Sequence, residues 1–168
     1  MTKSIFSGLD RKALEHVVRT TLAATASLAV ARLFGLPEPQ WASISTMVVT
    51  QSTLGAALTI SGERFVGTAL GAAAGAVLGT YLGSNSLIFA AGVFGLGLIC
   101  GLLHLDRAAY RFAGITLAIV VLVPRATGFQ TIAIQRFLEV SLGISMGLVV
   151  TALWPERIRT GRAQAGPL

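Results

Sequence analysis

A glycine recurs at every fourth position of one apolar stretch, at Gly67, Gly71, Gly75, Gly79 and Gly83. In a water-soluble helix this pattern is costly, because each interior glycine destabilises the helix by roughly 1 kcal/mol relative to alanine. In a bilayer, helices associate through close backbone contact over small residues, and glycines four apart share one helix face. The pattern therefore predicts a membrane helix packed through the first four of these glycines, and Gly143 and Gly147 extend the prediction to a later helix.

The composition favours the same class of protein. Hydrophobic residues make up 54% of the chain and charged residues 12%, whereas about a quarter of the residues in a soluble domain are charged. A membrane helix needs about 20 mainly apolar residues. Six such stretches are present, at 17–34, 41–60, 65–83, 87–105, 108–123 and 137–154. We therefore expect an all-α fold, a membrane bundle of six transmembrane helices.

Short turn-forming or charged clusters separate these spans. They occupy residues 35–39, 62–64, 83–86, 104–107 and 124–131. The first sixteen residues mix charged and apolar side chains, which favours a short helix on the membrane surface over a cleaved signal peptide. We therefore expect an interfacial segment at 1–16, a membrane domain at 17–154 and a basic cytoplasmic tail at 155–168.

The distribution of Lys and Arg predicts the orientation. Cytoplasmic loops carry the excess of basic residues, and with both termini inside, 10 of the 13 basic residues lie on the cytoplasmic side. Topology therefore accounts for the net charge of +6, and no groove of aromatic and basic residues indicates nucleic-acid binding. Arg19 and Arg32, at opposite ends of the first span, are expected to anchor it at the two interfaces.

An internal repeat is the second informative feature. When the chain is aligned with itself so that Arg64 matches Arg136, the segment 64–75 lies on 136–147, and one Arg, one Phe, one Leu and two Gly positions coincide. Three spans per unit would make the two halves cross the membrane in opposite directions, as in the inverted repeats of many transporters. We therefore expect a 3+3 inverted repeat, with Arg64 near the cytoplasmic face and Arg136 near the opposite face.

Two phrases of the sequence resemble a known family. Trp41 is followed by Val-Val-Thr-Gln-Ser-Thr-Leu-Gly at 48–55, and Arg-Phe-Val-Gly-Thr-Ala-Leu-Gly follows at 64–71. This order resembles the FUSC (fusaric acid resistance) and aromatic acid exporter group, and the resemblance extends from Arg19 to Pro155. It implies a six-span inner-membrane protein related to efflux proteins for small aromatic carboxylates, and more distantly similar to plant malate channels. Because relatives often continue into a cytoplasmic domain or a second membrane unit, the resemblance also implies that this shorter chain forms a homodimer.

Polar residues concentrate in the second span. Buried polar groups are costly in a membrane and tend to face a cavity or a partner helix. Ser43, Thr46, Thr50 and Thr53 follow helical spacing down one face of this span, with Gln51 beside them. We expect this face, above all Thr46, Thr50 and Gln51, to line a substrate pathway. The alternative role is hydrogen bonding between helices, which typically contributes less than about 2 kcal/mol per contact.

The two arginines of the repeat are candidates for recruiting organic anions. Arginine stays charged at any working pH, and its planar fork of donors can hold both oxygens of a carboxylate. The alternative for Arg64 is snorkelling to lipid headgroups, and for Arg136 an ion pair with Glu139 one turn later. Glu139 is the only acid within a predicted span, and it could instead be a proton-coupling carboxylate.

Two functions from different classes remain. The first is a transporter or channel that moves small organic anions, among them aromatic ones, outward across a bacterial inner membrane as a homodimer. The second is a non-transporting membrane subunit or scaffold assembled through the glycine-lined helix faces. An enzyme is not expected, because no nucleophile with a base, paired acid set or metal cluster is recognisable, and no cofactor is predicted. The expected partners are the lipid bilayer, a second copy and the small anion.

Overall fold

The computed structural model describes residues 11–51, 53–123 and 126–154. Six helices and no strand form within these ranges: α1 (Arg11–Leu33), α2 (Gln40–Val49), α3 (Leu54–Leu82), α4 (Ser86–Leu102), α5 (Arg107–Leu122) and α6 (Phe129–Leu153). The expected all-α architecture with six helices is therefore confirmed. The predicted tail at 155–168 and the first ten residues of the predicted interfacial segment lie outside the described residues.

The break between the second and third helices does not lie where the sequence predicted it. α2 ends before Thr50, whose backbone is extended (φ −67°, ψ 97°), and α3 begins after Thr53. The Thr53 hydroxyl caps α3 by accepting a hydrogen bond from the backbone N–H of Ala56 at 3.2 Å. Short polar side chains compete with the backbone for hydrogen bonds, so the polar run at 50–53 interrupts the predicted span 41–60.

The predicted break at 62–64 is wrong, because α3 passes through it as one helix of 29 residues. A glycine followed by two charged residues resembles a turn in the sequence. In the structure Arg64 is 7% exposed and packs against neighbouring helices, so the helix continues with this arginine inside the bundle. Residues 54–60 of the predicted span 41–60 and residues 65–82 of the predicted span 65–83 therefore belong to one helix.

Two further boundaries differ from the expectation. α1 begins at Arg11, so residues 11–16 of the predicted interfacial segment belong to the first helix. α6 begins at Phe129, well before the predicted start of the sixth span at Phe137. Arg136 and Glu139 consequently lie inside α6 and not at its entrance.

Among the described helices, α3 and α6 are long and apolar enough to cross a membrane, and α4 is a shorter apolar helix. At about 1.5 Å per residue, the 29 residues of α3 and the 25 of α6 extend about 44 and 38 Å. This exceeds the ~30 Å of a bilayer's hydrocarbon core. Six helices are thus present in the described residues, whereas two of them meet the length and hydropathy of a full span.

The burial pattern is unusual for a soluble domain. Arg19, Arg64, Arg136 and Glu139 are buried, while large apolar side chains of every helix are exposed. Leu87, for example, is 80% exposed. Arg and Glu are almost never fully buried in soluble proteins unless they are paired, and a contiguous apolar surface marks a surface that contacts protein or lipid. This distribution suits a chain surrounded by lipid.

The glycine face of α3 packs against α5 and the start of α6. Its four glycines lie where no side chain fits: Gly67, Gly71, Gly75 and Gly79. A Cβ atom at Gly71 would collide with the carbonyl oxygen of Ala113, and one at Gly75 would lie 2.8 Å from the Cβ of Val120. At Gly79 it would collide with the ring of Phe129. These glycines allow two helix backbones to approach closely within one chain.

α6 packs against α2 in a matching way. A Cβ atom at Gly143 would collide with the carbonyl oxygen of Ala42, and one at Gly147 would lie 2.9 Å from the Cγ1 of Val49. The glycine contacts of α6 with α2 thus parallel those of α3 with α5.

Candidate functional site

Buried charges gather where the loop between α1 and α2 meets α6. Arg136 is 1% exposed and Glu139 is 0% exposed, and Nη1 of the arginine lies 3.1 Å from Oε2 of the glutamate. Nη2 of Arg136 forms an ion pair with Oε2 of Glu38 in the loop. The backbone N–H of Glu38 donates to Oε1 of Glu139 at 2.9 Å. One guanidinium group is therefore held between two carboxylates.

Trp41, in the first turn of α2, completes this cluster. Its Nε1–H donates to Oε2 of Glu38 at 2.8 Å. The guanidinium of Arg136 lies over the indole ring, 4.5 Å from the ring centroid, where the attraction of a cation to a Trp face typically contributes about 0.5–2 kcal/mol. The Glu38 carboxylate thus binds a guanidinium and an indole N–H, and the same two donors suit the carboxylate of a small molecule.

Arg64, which the predicted repeat aligns with Arg136, also lies against an aromatic ring. Its guanidinium lies over the ring of Phe112 of α5, 4.9 Å from the centroid, and its Nη2 donates to the Oγ of Ser45 at 3.1 Å. Among the described residues no carboxylate lies within ion-pair distance of Arg64, and its buried Nε has no hydrogen-bond partner there. In this part of the chain Arg64 is therefore a buried cation without a counter-ion.

A chain of contacts along α2 joins the two arginines. The Ser45 hydroxyl, which accepts from Arg64, donates to the carbonyl oxygen of Trp41 at 2.8 Å. Trp41 in turn contacts Arg136. Because Ser45 and Trp41 are four residues apart, the two contact points are separated by about 6 Å along the helix. The expectation that Arg64 and Arg136 lie near opposite membrane faces is therefore wrong, and both lie inside the bundle beside α2.

The polar residues predicted to line a pathway donate hydrogen bonds to backbone carbonyl oxygens. The buried Thr46 hydroxyl donates to the carbonyl oxygen of Gly143 on α6 at 2.9 Å, and the Thr50 hydroxyl donates to that of Thr46 at 2.7 Å. The half-buried Gln51 donates from Nε2 to the carbonyl oxygen of Val48 at 2.9 Å. Thr46 thus joins two helices, and a pathway role for the three predicted residues stays a prediction.

Arg19 of α1 contacts the ends of two other helices. It is 1% exposed, and its two Nη atoms donate to the carbonyl oxygens of Trp154 and Gln51, both at 2.8 Å. These carbonyls follow the C-terminal ends of α6 and α2, where helix dipoles concentrate partial negative charge. Arg19 thus ties two helix ends to α1, and its interfacial position stays a prediction. Arg32 is exposed.

Glu38 is the site residue that sequence reasoning missed. It lies between Pro37 and Pro39 in a segment predicted only as a loop, and its partner Arg136 is 98 residues away. No local pattern shows a contact at that separation. The sequence does contain one indication of its importance. The chain has only seven acidic residues, and Glu38 lies between two prolines in a short segment between apolar spans.

Apolar grooves lie on the surface of the described residues. One of about 430 Å³ runs between α3 and α6 and is lined mainly by small residues such as Ala69, Ala73 and Ala76, with Phe137 beside them. Another of about 450 Å³ runs between α3 and α4. Such walls suit lipid chains or another helix. No group of His, Cys, Asp and Glu that could hold a metal ion occurs among the described residues.

Known proteins resemble this chain over most of its length. It is 35% identical to the inner membrane protein YeeA of Escherichia coli K12 over an alignment of 151 positions, which covers 84% of this chain and 41% of YeeA. It is 31% identical to a protein of the same strain named uncharacterized transporter YdhK over an alignment of 149 positions, which covers 83% of this chain and 22% of YdhK. The chain thus spans less than half the length of either relative.

No solved structure matches the chain. The family resemblance carried by Trp41 and the two phrases that follow it is confirmed by a match between residues 13–165 and the sequence model of one family. Because this match covers nearly the whole chain, the protein belongs to the fusaric acid resistance protein family.

Proposed function

We propose that this chain forms the membrane domain of a transporter or channel for small organic anions in a bacterial inner membrane. The observation that carries the proposal is Arg64, a buried cation without a carboxylate at ion-pair distance in the described residues, close to Arg136. An ionisable group inside a membrane is costly and marks an ion or substrate pathway. Family membership and two relatives, one named an inner membrane protein and one a transporter, support this class and location.

The surroundings of Arg64 favour an aromatic carboxylate as the anion. A guanidinium can donate two parallel hydrogen bonds to the two oxygens of a carboxylate. Phe112 lies under the guanidinium, with its ring centroid 4.9 Å from the guanidinium carbon. Aromatic faces pack well against a planar ring. Benzoate-like anions are therefore the first class to test, and dicarboxylates the second.

The proposed pathway passes the two arginines and the break between α2 and α3. Non-helical backbone at membrane depth is tolerated where it lines a cavity or is buried in protein, and Thr50 and Gln51 lie at this break. Thr46 precedes them by one turn of α2. Glu139 takes part through its ion pair with Arg136, and it is the acid to examine for proton coupling.

The 3+3 inverted repeat is part of the proposal. Contacts made by one half of the chain have counterparts in the other half, at the aligned position or next to it. The contact of Gly71 with Ala113 corresponds to that of Gly143 with Ala42. The contact of Arg64 with Phe112 corresponds to that of Arg136 with Trp41. Phe65 and Phe137, which the same alignment matches, touch each other as residues beside a two-fold axis do. In such repeats the substrate site lies near the midplane of the bilayer, between the two halves. This arrangement would give both arginines a role at one central site.

A homodimer and outward transport complete the proposal. The alanine-lined groove between α3 and α6 can admit a helix of a second copy. Cytoplasmic termini are supported by the excess of basic residues on that side. The scaffold alternative loses its main support, because the glycines that it would use for assembly pack against helices of the same chain.

Uptake of labelled anions into proteoliposomes tests the proposed function. The panel holds benzoate-like and dicarboxylate anions, and empty liposomes give the background. We expect saturable uptake of at least one anion class, lowered about tenfold or more in Arg64→Gln, because hydrogen bonds to a charged group contribute about 1.5–3 kcal/mol. Arg32→Gln, which removes an exposed arginine of α1, is the matched control and should retain wild-type uptake. Background uptake of the whole panel, or equal uptake by Arg64→Gln, would contradict the proposal.

A further inference from the structure

Arg64 and Arg136 both lie against an aromatic ring, but only Arg136 has carboxylate partners among the described residues. Each guanidinium lies over an aromatic ring, Phe112 in one case and Trp41 in the other. The Arg136 side chain also holds the carboxylate of Glu38, which Trp41 binds from the other side. No described carboxylate takes the corresponding position at Arg64. One of the two arginine sites is thus filled by a side chain of the protein itself.

We propose that Glu38 is a tethered competitor of the transported anion. Its carboxylate occupies a carboxylate-binding site formed by Arg136 and the indole N–H of Trp41, and the carboxylate of a planar monocarboxylic acid displaces it. This inference rests on the proposed function, since it names a second binding site for the same class of anion and the side chain that controls it.

The charges favour exchange over simple addition. The single positive charge of Arg136 already faces two carboxylates, those of Glu38 and Glu139. A monocarboxylate that replaces Glu38 at Arg136 leaves the charge at this site unchanged. An anion added beside Glu38 would be an uncompensated charge next to Arg136 and Glu139, which are 1% and 0% exposed, and such a charge typically costs several kcal/mol.

The Glu38 side chain can leave Arg136 while the Glu38 backbone stays in position. The Glu38 side chain is 26% exposed, whereas that of Glu139 is 1% exposed. Glu38 lies in the loop between α1 and α2, so its carboxylate can rotate towards the surface. The hydrogen bond from its backbone N–H to Glu139 does not depend on the carboxylate and can hold the loop in position.

A tethered competitor lowers the apparent affinity for the free anion. A group on a short flexible tether has an effective concentration in the millimolar range, so the free anion must outcompete it. The apparent dissociation constant rises in inverse proportion to the fraction of molecules with a vacant site. If Glu38 fills the site in nine molecules of ten, its removal tightens apparent binding about tenfold.

The fluorescence of Trp41 reports on this site directly. The chain has two tryptophans, so in a Trp154→Phe background Trp41 is the sole one, and its indole N–H binds Glu38. The purified full chain is titrated with benzoate at constant pH, with neutral benzamide as the control ligand. Glu38→Gln is compared with Glu63→Gln, which removes a half-buried glutamate of α3 that makes no ion pair among the described residues.

We expect a saturable response to benzoate and none to benzamide, with half-saturation in Glu38→Gln at about one tenth of the background concentration. Glu63→Gln should match the background. Glu38→Asp, whose shorter side chain reaches Arg136 less well, should fall between the two, and it serves as the test if Glu38→Gln does not fold.

If both Glu38 variants reached half-saturation at the same benzoate concentration as the background protein, or at a higher one, the inference would be overturned. The proposed function would stay intact, because the background protein would still bind benzoate. A purely structural role for Glu38 predicts this result, an unchanged or weaker affinity for benzoate in the Glu38 variants. The absence of any saturable response at Trp41 in a protein that takes up benzoate would also overturn the inference alone. The absence of both the response and uptake would overturn the two together.

Discussion

At the scale of single residues, the central charges differ in what neutralises them. Arg136 is paired with two carboxylates and stacks on Trp41, whereas Arg64 has an aromatic ring and a hydroxyl. A buried ion pair is a weak source of net stability, but removing one partner leaves an uncompensated charge. Arg136 therefore has a large structural role, while the positive charge of Arg64 is available to a ligand.

This difference predicts unequal losses of stability. Arg136→Gln leaves Glu38 and Glu139 without the cation between them and should lower the free energy of unfolding by about 3–5 kcal/mol. Arg64→Gln replaces a cation that has no described carboxylate partner, and it should cost much less. Thermal or denaturant unfolding of both variants in detergent measures the two losses. Equal losses would show that Arg64 is neutralised within the protein, contrary to this account.

At the level of helices, the sequence predicted the presence of helices better than the residues at which they begin and end. The glycine spacing and apolar stretches indicated helices because both are local properties. The break between α2 and α3 was missed because a glycine beside two charged residues at 62–64 was a stronger turn signal. The helix continues through 62–64 because Arg64 is buried against α2 and α5, which is not a local property of the sequence. Glu38 was missed for a related reason, since its partner lies on a distant helix.

The close approach of helices predicts a sharp contrast between glycines of α3. An alanine at Gly71 would collide with the carbonyl oxygen of Ala113 and lie 2.9 Å from Thr116 Cβ, whereas open space surrounds Gly62. Gly71→Ala should lower the melting temperature strongly by forcing α3 from α5. Gly62→Ala should leave it unchanged or raise it, since alanine favours a helix by roughly 1 kcal/mol. The melting temperatures of the purified variants measure this, and a Gly71→Ala protein as stable as Gly62→Ala would contradict the packing described.

Across the described residues as a whole, a small cluster of charged side chains is buried and many large apolar side chains are exposed. Two long apolar helices, α3 and α6, carry one arginine each, and α2 brings the two arginines together through Trp41 and Ser45. Lipid can cover the apolar exterior, while the arginine cluster supplies the interior with charge for an anion. We therefore propose that Arg64 binds the carboxylate of the transported molecule.

Equilibrium binding of labelled benzoate to the purified chain tests this claim most directly. Wild-type protein is compared with Arg64→Gln, with Arg64→Lys, which keeps the charge but loses the planar fork of donors, and with Arg32→Gln as the exposed control. We predict saturable binding that Arg32→Gln retains, that Arg64→Lys weakens, and that Arg64→Gln weakens about tenfold or more. Benzoate binding of equal strength in Arg64→Gln and wild type would contradict the account.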